Sequence, residues 1–270
     1  MREAMKLQEL DISGPAGRLA GWSAGENASD KPAVLLIHPI NTQGRIWADL
    51  IDLLDPQGRY VMPDLRAHGG SDASGEFSLA EWTADCLAVI EQELPSGPFH
   101  VVGGSLGGPL ACCVAAALPE RVSSVTAIGS SLNFDGVEVS GVLDMFDRLG
   151  VAGTFRTVFP TMTFGPGSSQ DVIDKALALA NPNDVATVKR VWSATIASDA
   201  TEQASQLDCP ALVINGEHDT TCTPALGLEL ARVLRTEQVI MPDIGHMPML
   251  ECPERVALLL TQQVNRAGSP

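Results

Sequence analysis

The chain has 270 residues, 45% hydrophobic and 19% charged, so it is long enough and apolar enough to bury a full core. Its formal net charge is −16 at pH 7, and an acidic surface of this kind repels phosphate backbones and anionic lipids, which excludes nucleic acid and membrane surfaces as expected partners. The six cysteines form neither a C-x-x-C pair nor the spacing of a zinc site, so no structural metal is expected.

The N-terminal residues 1–12 mix charged side chains with short apolar pieces and lack the apolar core of a signal peptide. No uncharged apolar run in the sequence reaches the length of a transmembrane helix. We therefore expect a cytoplasmic protein whose thiols are reduced.

The chain then alternates short apolar runs with segments of helical spacing. Strands are predicted at 6–12, 18–22, 33–38, 60–62, 99–102, 122–128, 211–215 and 237–241. Helices are predicted at 46–54, 79–94, 106–118, 224–234 and 253–265. Strands that alternate with helices of this length predict an α/β fold with a mostly parallel central sheet and helices on both faces.

Residues 132–207 interrupt this alternation. Helical stretches are predicted at 142–149, 171–180 and 184–197, with a loop-like piece at 161–167 and no convincing buried strand. Because open α/β sheets bind ligands outside the carboxyl ends of their strands, we expect a helical insertion over those ends; a peripheral decoration is the alternative. The predicted division is a core of residues 1–131 and 208–270 and a helical cap of residues 132–207.

The strongest motif is Gly103-Gly104-Ser105-Leu106-Gly107, which fits G-x-S-x-G between a predicted strand and a predicted helix. This setting places a serine on a strained turn whose neighbours need little or no side chain. The helix N-terminus beneath the serine also favours negative charge that develops nearby. Ser105 is therefore the candidate nucleophile, and an ordinary glycine-rich turn is the alternative.

A serine hydroxyl needs an adjacent base, and the sequence offers five histidines. His246 is the best candidate, because it lies in a loop after the last predicted strand, whereas His100 lies inside a strand. The imidazole in turn needs a carboxylate, and Asp219 follows the predicted strand at 211–215. The order Ser105, Asp219, His246 suits nucleophile, acid and base; Asp135 is a competing acid.

Taken together, these motifs resemble the α/β-hydrolase superfamily over nearly the whole chain. Residues 245–253 have the spacing G-H-x-x-x-x-E-x-P, similar to small cofactor-free esterases, enol-lactonases, carbon–carbon bond hydrolases and haloperoxidase-like members. Residues 64–72 resemble the D-x-R-G-x-G-x-S loop of the family, with Ala67 where glycine is usual. The resemblance implies the α/β-hydrolase fold, no cofactor and a structural role for His68. A serine at position 105 is unlike the haloalkane dehalogenases, which carry aspartate there.

By this resemblance, the oxyanion-binding loop corresponds to residues 38–41. Pro39 replaces the usual glycine and has no amide hydrogen. The resemblance implies that the backbone amides of Ile40 and Leu106 are the oxyanion donors, and the Asn41 side chain would add a further donor. An ordinary turn at the end of a strand is the alternative for this loop.

The residues and the resemblance predict hydrolysis through an acyl-enzyme without a metal or an organic cofactor. The expected substrate is a carboxylester or lactone of a small to medium, partly hydrophobic molecule, because the predicted cap is rich in apolar side chains. The candidate substrate-binding residues are Asn41, Phe134, Met162, Phe164 and Trp192. Carbon–carbon bond hydrolysis of a diketone-type substrate and a hydrolase-like small-molecule receptor are the alternatives. A monomer or a homo-dimer is expected.

Overall fold

The computed structural model describes residues 4–26, 32–134 and 140–267. Eight strands form a single sheet in the order β1-β2-β4-β3-β5-β6-β7-β8, in which β2 runs antiparallel to its neighbours β1 and β4 and all other adjacent pairs are parallel. The strands are β1 Gln8–Gly14, β2 Gly17–Ala24, β3 Ala33–Ile37, β4 Arg59–Pro63, β5 Phe99–Gly104, β6 Val122–Ile128, β7 Ala211–Gly216 and β8 Gln238–Met241. The predicted α/β fold with a mostly parallel sheet is confirmed.

Central strands of the sheet are buried on both faces. Every residue of β3 and β5 is buried, which explains why β3 is a continuous apolar run in the sequence. By contrast, β1 lies at an edge and alternates exposed with buried residues. The sheet is therefore covered on two sides at the place where β3 and β5 end.

Helices pack on both faces of this sheet. The helices of the described residues are α1 Ala48–Ile51, α2 Leu79–Glu93, α3 Gly107–Ala117, α4 Ser140–Val158, α5 Gln170–Ala178, α6 Val185–Ile196, α7 Thr201–Ser205, α8 Pro224–Val233, α9 Pro248–Glu251 and α10 Pro253–Ala267. One apolar cluster joins the sheet to α2, α3, α7 and α8, and a second joins the other face to α1, α9 and α10. A membrane-crossing helix is not found within the described ranges.

Between β6 and β7 the described elements are helical apart from a single bridge between Asn133 and Asp199. The helix predicted at 142–149 matches the first part of α4, which ends at Gly150, where φ 69° and ψ 177° are not helical. The second part of α4, which continues after this kink to Val158, was not predicted. The loop predicted at 161–167 is also partly wrong, since Phe159–Thr163 forms one turn of π-helix. The short helix α7 was not predicted.

An aromatic cluster forms the interior of this helical segment. Phe146 packs edge to face on Phe155 with 5.6 Å between ring centroids, and Phe155 stacks on Phe159 at 5.2 Å. Phe164 contacts Phe159, and Trp192 contacts Phe146. These rings give the helices α4 and α6 an apolar interior of their own.

Candidate active site

Ser105 lies on the sharp turn between β5 and α3. Its backbone has φ 49°, in the left-handed region that costs energy for a residue with a Cβ. The amide of Ser105 donates to Ile128 O at the end of β6 (3.0 Å), and the Ser130 hydroxyl donates to Ser105 O (2.7 Å). The neighbouring strand therefore holds the strained serine in place.

Two glycines make this turn possible. A Cβ at Gly103 would collide with the carbonyl oxygen of Gly107, and a Cβ at Gly107 would collide with that of Ile37. Because β3 and β5 are neighbours in register, with Ile37 beside Gly103, the turn is pressed against the end of β3. The G-x-S-x-G pattern thus reflects the close approach of three backbone segments.

His246 and Asp219 are paired on the two loops that follow β8 and β7. The Nδ1 atom of His246 is 2.9 Å from Asp219 Oδ2, and both side chains are almost fully buried. Because a carboxylate can only accept, Nδ1 carries the proton and Nε2 keeps its lone pair. The pair therefore leaves Nε2 as a base.

The electrostatic surroundings of His246 set its ionisation. Burial on its own would lower the pKa of His246, but the Asp219 carboxylate at Nδ1 and the charge of Glu251 outweigh it. The pKa is raised above its ordinary value of 6.5. The imidazole is therefore readily protonated once a proton reaches it.

Asp219 is held by a tight turn of its own. Its Oδ1 atom accepts from the amides of Thr221 and Cys222, each at 2.9 Å, so Oδ2 is left for His246. A Cβ at Gly129 would lie 2.5 Å from His246 O and 3.4 Å from Asp219 Oδ2, which places this pair at the end of β6. The amide of Ser105 donates to Ile128 O at the same end of β6, so Ser105 also lies at the carboxyl ends of the parallel strands.

The thiol of Cys222, in the acid loop, lies close to Ser105 and 3.9 Å from the Ser131 hydroxyl. Burial raises the pKa of the Cys222 thiol, so the thiol is neutral. Within the described chain no hydrogen bond joins Ser105 to His246, and catalytic hydrogen bonds are often long before a substrate binds.

Residues 38–42 form a pinned turn after β3. The Nε2 atom of His38 accepts from the Leu65 amide (2.9 Å), so Nδ1 donates to Pro39 O (2.7 Å), and burial lowers the pKa of His38 to about 4. The Thr42 hydroxyl also donates to Pro39 O, at 2.8 Å. A neutral histidine thus fixes the turn that carries Ile40.

Ile40 and Leu106 follow β3 and β5, which are adjacent strands. Neither backbone amide donates to another residue in the ranges that the structure covers. Asn41 has φ 66° and is buried, and its Oδ1 accepts from the indole of Trp192 at 3.1 Å. Because an indole can only donate, Asn41 Oδ1 is the acceptor and its Nδ2 remains a donor.

The predicted substrate-binding residues lie in different surroundings. Phe134 is buried at the end of the segment that follows β6, whereas Met162 is 44% exposed on the π-helical turn. Phe164 and Trp192 belong to the aromatic cluster between β6 and β7. Of these, Trp192 touches a predicted site residue, Asn41. The competing acid Asp135 lies outside the described residues.

Glu251 is a site residue that the sequence analysis missed as such. Its carboxylate accepts from the amides of Gly245 (3.0 Å) and Met247 (3.1 Å), which flank His246. It also accepts from the Gly165 amide and the Ser168 hydroxyl, both at 2.7 Å. The histidine loop is thereby tied to the loop after the π-helical turn. The sequence signal that could have identified Glu251 is its place as the glutamate of the G-H-x-x-x-x-E-x-P spacing.

A backbone contact reinforces this tie. The amide of His246 donates to Thr163 O at 2.7 Å, and the Thr220 hydroxyl donates to Met162 O at 3.0 Å. Both catalytic-loop candidates, the one with Asp219 and the one with His246, thus touch the π-helical turn. A change in the conformation of this turn would therefore shift the backbone of His246.

Several known proteins are similar to this chain in sequence or in structure. Residues 32–253 match the model of the alpha/beta hydrolase fold family. The chain is 27% identical over 245 residues to a pimeloyl-[acyl-carrier protein] methyl ester esterase of Nitrosomonas europaea, covering 85% of this chain and 94% of that protein. It is 25% identical over 240 residues to a pyrrolizixenacetamide deacetylase of Xenorhabdus hominickii, covering 85% and 89%. The enol-lactonase of Burkholderia xenovorans LB400 superposes with a TM-score of 0.84 at 22% identity, over 95% of this chain and all of that one.

Proposed function

The chain belongs to the α/β hydrolase fold family and is an enzyme of the hydrolase class, and we propose that it cleaves carboxylic esters through the triad Ser105, His246 and Asp219. The observation that carries the proposal is the buried pair of His246 and Asp219 at the same sheet edge as a serine with φ 49°. A structural histidine would not need a carboxylate at Nδ1 at the strand ends where a strained serine also lies.

In the proposed reaction, Ser105 Oγ attacks the carbonyl carbon of the ester while His246 Nε2 takes its proton. The raised pKa of His246 suits this step, because the imidazolium that forms is stabilised by Asp219. His246 then returns the proton to the leaving alcohol. Water attacks the acyl-enzyme with His246 again as base, which releases the acid and restores Ser105.

We assign the oxyanion to the backbone amides of Ile40 and Leu106. Their freedom from other hydrogen bonds within the described ranges supports this role, since donors committed elsewhere would be lost to the transition state. Asn41 Nδ2 is a third candidate donor, and Trp192 holds its side chain in orientation. Pro39 contributes no donor of its own, but its carbonyl anchors the turn.

We propose a small to medium, partly hydrophobic ester as substrate, with residues 132–207 as a cap over the strand ends. The relatives that are an esterase and a deacetylase both cleave bonds at an acyl carbon by their names, which supports acyl transfer to water. The contacts of the π-helical turn with the His246 loop support a cap position for this segment. Phe134 and Met162 are proposed to face the acyl group, and Phe164 and Trp192 to shape the cap from within.

The proposal is tested with p-nitrophenyl butyrate, ethyl butyrate, γ-butyrolactone and a 1,3-diketone, and by labelling with a fluorophosphonate. We expect ester turnover with equal amounts of alcohol and acid, and a single adduct on the peptide that contains Ser105. Ketone and acid from the diketone, with inert esters, would replace the proposal with carbon–carbon bond hydrolysis. A ligand-dependent thermal shift without any turnover would replace it with a receptor function.

We predict that Glu251→Gln moves the acidic limb of the kcat/KM profile to lower pH. The negative charge of Glu251 helps to raise the pKa of His246, and the base is active only when neutral, so losing the charge lets it deprotonate at lower pH. Absolute kcat/KM falls, because a charge-assisted hydrogen bond worth about 1.5–3 kcal/mol no longer orders the loop. The measurement is kcat/KM for p-nitrophenyl butyrate from pH 5 to 9.

Ser168→Ala is the matched control for Glu251→Gln. It removes one of the donors to Glu251 and keeps the carboxylate charge. The acidic limb should therefore stay where it is in the wild type, even if kcat/KM decreases. An unchanged limb in Glu251→Gln, or an equal shift in both variants, would refute the electrostatic role of Glu251.

A further inference from the structure

A cavity of about 180 Å³ lies between the sheet and α10, away from the proposed active site. It lies at the amino ends of the parallel strands, where Val34 and His100 are the second residues of β3 and β5. Ser105 follows the carboxyl end of β5, five residues beyond His100, which corresponds to about 16 Å along an extended chain. The cavity is therefore separate from the triad, and the inference below does not depend on the proposed esterase function.

Polar side chains occupy the sheet face at this cavity. Side chains two residues apart share a face, so His100 and Val102 on β5 lie beside Ser124 and Thr126 on β6. His100 Nδ1 and Ser124 Oγ are 2.8 Å apart, and burial lowers the pKa of His100 to about 4, so the ring is neutral. Further along the same face the buried residues are apolar, as at Ile128. The polar positions are thus concentrated where the cavity lies.

Gln263 faces these residues from α10. The residue is only 4% exposed, and its amide nitrogen has no hydrogen-bond partner in the described part of the chain. Burying such a donor without a partner opposes folding, and an apolar residue would pack between Leu260 and the sheet at no such cost. A buried glutamine that lines a cavity and has no protein partner is therefore placed to meet a ligand.

The walls define the chemistry of that ligand. Val34, Val102 and Leu260 supply apolar surface, and none of the described lining residues is a lysine or an arginine. Asp55 at the lining further disfavours an anion. A cavity of roughly 150 Å³ holds one benzene molecule, so this one has room for a single substituted ring.

We propose that this cavity is a second, non-catalytic binding site for a neutral single-ring molecule whose carbonyl oxygen accepts a hydrogen bond from the Gln263 side chain. Val34, Val102 and Leu260 enclose the ring. The paired His100 and Ser124 lie at the opposite wall, on the sheet.

Acetophenone tests the proposal, with ethylbenzene as the matched probe that lacks the carbonyl oxygen. Titration is followed by NMR of the full chain, using the side-chain amide of Gln263 and the imidazole of His100 as reporters. We expect saturable shifts of both reporters with acetophenone. With ethylbenzene we expect the Gln263 amide to lack the downfield shift of a hydrogen-bonded donor.

The variant Gln263→Leu gives a second test, because leucine has a side chain of similar size but no amide donor. Acetophenone should bind about three- to tenfold more weakly, as expected for one hydrogen bond, while the affinity for ethylbenzene is kept or increased. Should Gln263→Leu fail to fold, the wild-type comparison of the two probes still decides. Absence of saturable shifts, shifts confined to residues around Ser105 and His246, or equal acetophenone affinity in Gln263→Leu would each overturn the proposal and leave the cavity to water.

Discussion

Replacing Ser105 with alanine is expected to lower kcat/KM for p-nitrophenyl butyrate by about 10⁴- to 10⁶-fold with the fold retained. Alanine keeps the Cβ that already sits at φ 49°, and the amide hydrogen bond to Ile128 is untouched. The hydroxyl alone is lost, and with it the acyl-enzyme. Whatever acceleration remains would come from substrate positioning and from the amides of Ile40 and Leu106. Steady-state rates and circular dichroism of the purified variant are the measurements.

The control variants for this experiment separate the hydroxyl from the backbone. Ser205→Ala changes an exposed serine of α7, whose hydroxyl donates to Glu202 O, and should leave kcat/KM unchanged. Ser105→Gly should be as inactive as Ser105→Ala but more stable by about 1 kcal/mol or more, since glycine adopts a positive φ without strain. Wild-type rates in both Ser105 variants would exclude Ser105 as the nucleophile.

The strands were predicted closely because their signal is local. A strand buried on both faces favours apolar residues at every position, so the run at 33–38 nearly coincides with Ala33–Ile37. The strand predicted at 122–128 coincides with Val122–Ile128, although Ser124 and Thr126 interrupt its apolar residues. Helical periodicity served less well between β6 and β7. There the helix predicted at 142–149 ends at Gly150, but the following helical stretch, in which Phe155 stacks on Phe159, was not predicted.

In the candidate site, too, the features that depend on residues near in sequence could be predicted, and those that depend on residues far apart in sequence could not. The turn at Ser105 could be predicted because Gly103 and Gly107 are needed by backbone segments within a few residues of it and by the adjacent strand. The ties of Glu251 to Gly165 and Ser168 span more than 80 residues, and no sequence period encodes them. The same holds for the bond from Trp192 to Asn41, which joins residues 151 positions apart.

Replacing Asp219 with asparagine is expected to lower kcat by about 10³- to 10⁴-fold. Asparagine keeps an oxygen that can accept from the amides of Thr221 and Cys222, so the turn of the acid loop persists. It then presents its NH₂ group to His246 Nδ1, which must accept, and the ring proton moves to Nε2. The imidazole would hold a proton where Ser105 needs a lone pair.

The pH profile of Asp219→Asn adds a second readout. In the wild type the carboxylate counteracts burial and raises the pKa of His246, so activity is lost as the pH falls through that raised value. Without the carboxylate, burial is opposed by the charge of Glu251 alone, and the pKa of His246 falls. The acidic limb of the residual activity should therefore move to lower pH, which a variant that is merely misfolded would not show.

Asp135→Asn is the matched variant that decides between the two candidate acids. If Asp219 supports His246, Asp135→Asn keeps kcat and its pH profile close to those of the wild type. Asp219→Asn instead lowers kcat and moves the acidic limb to lower pH. The double variant should then be no slower than Asp219→Asn alone, since residues that act as one unit are not additive. A large loss in Asp135→Asn, with near-normal kcat in Asp219→Asn, would transfer the acid to position 135. In that case the contact of 2.9 Å between His246 and Asp219 would be structural.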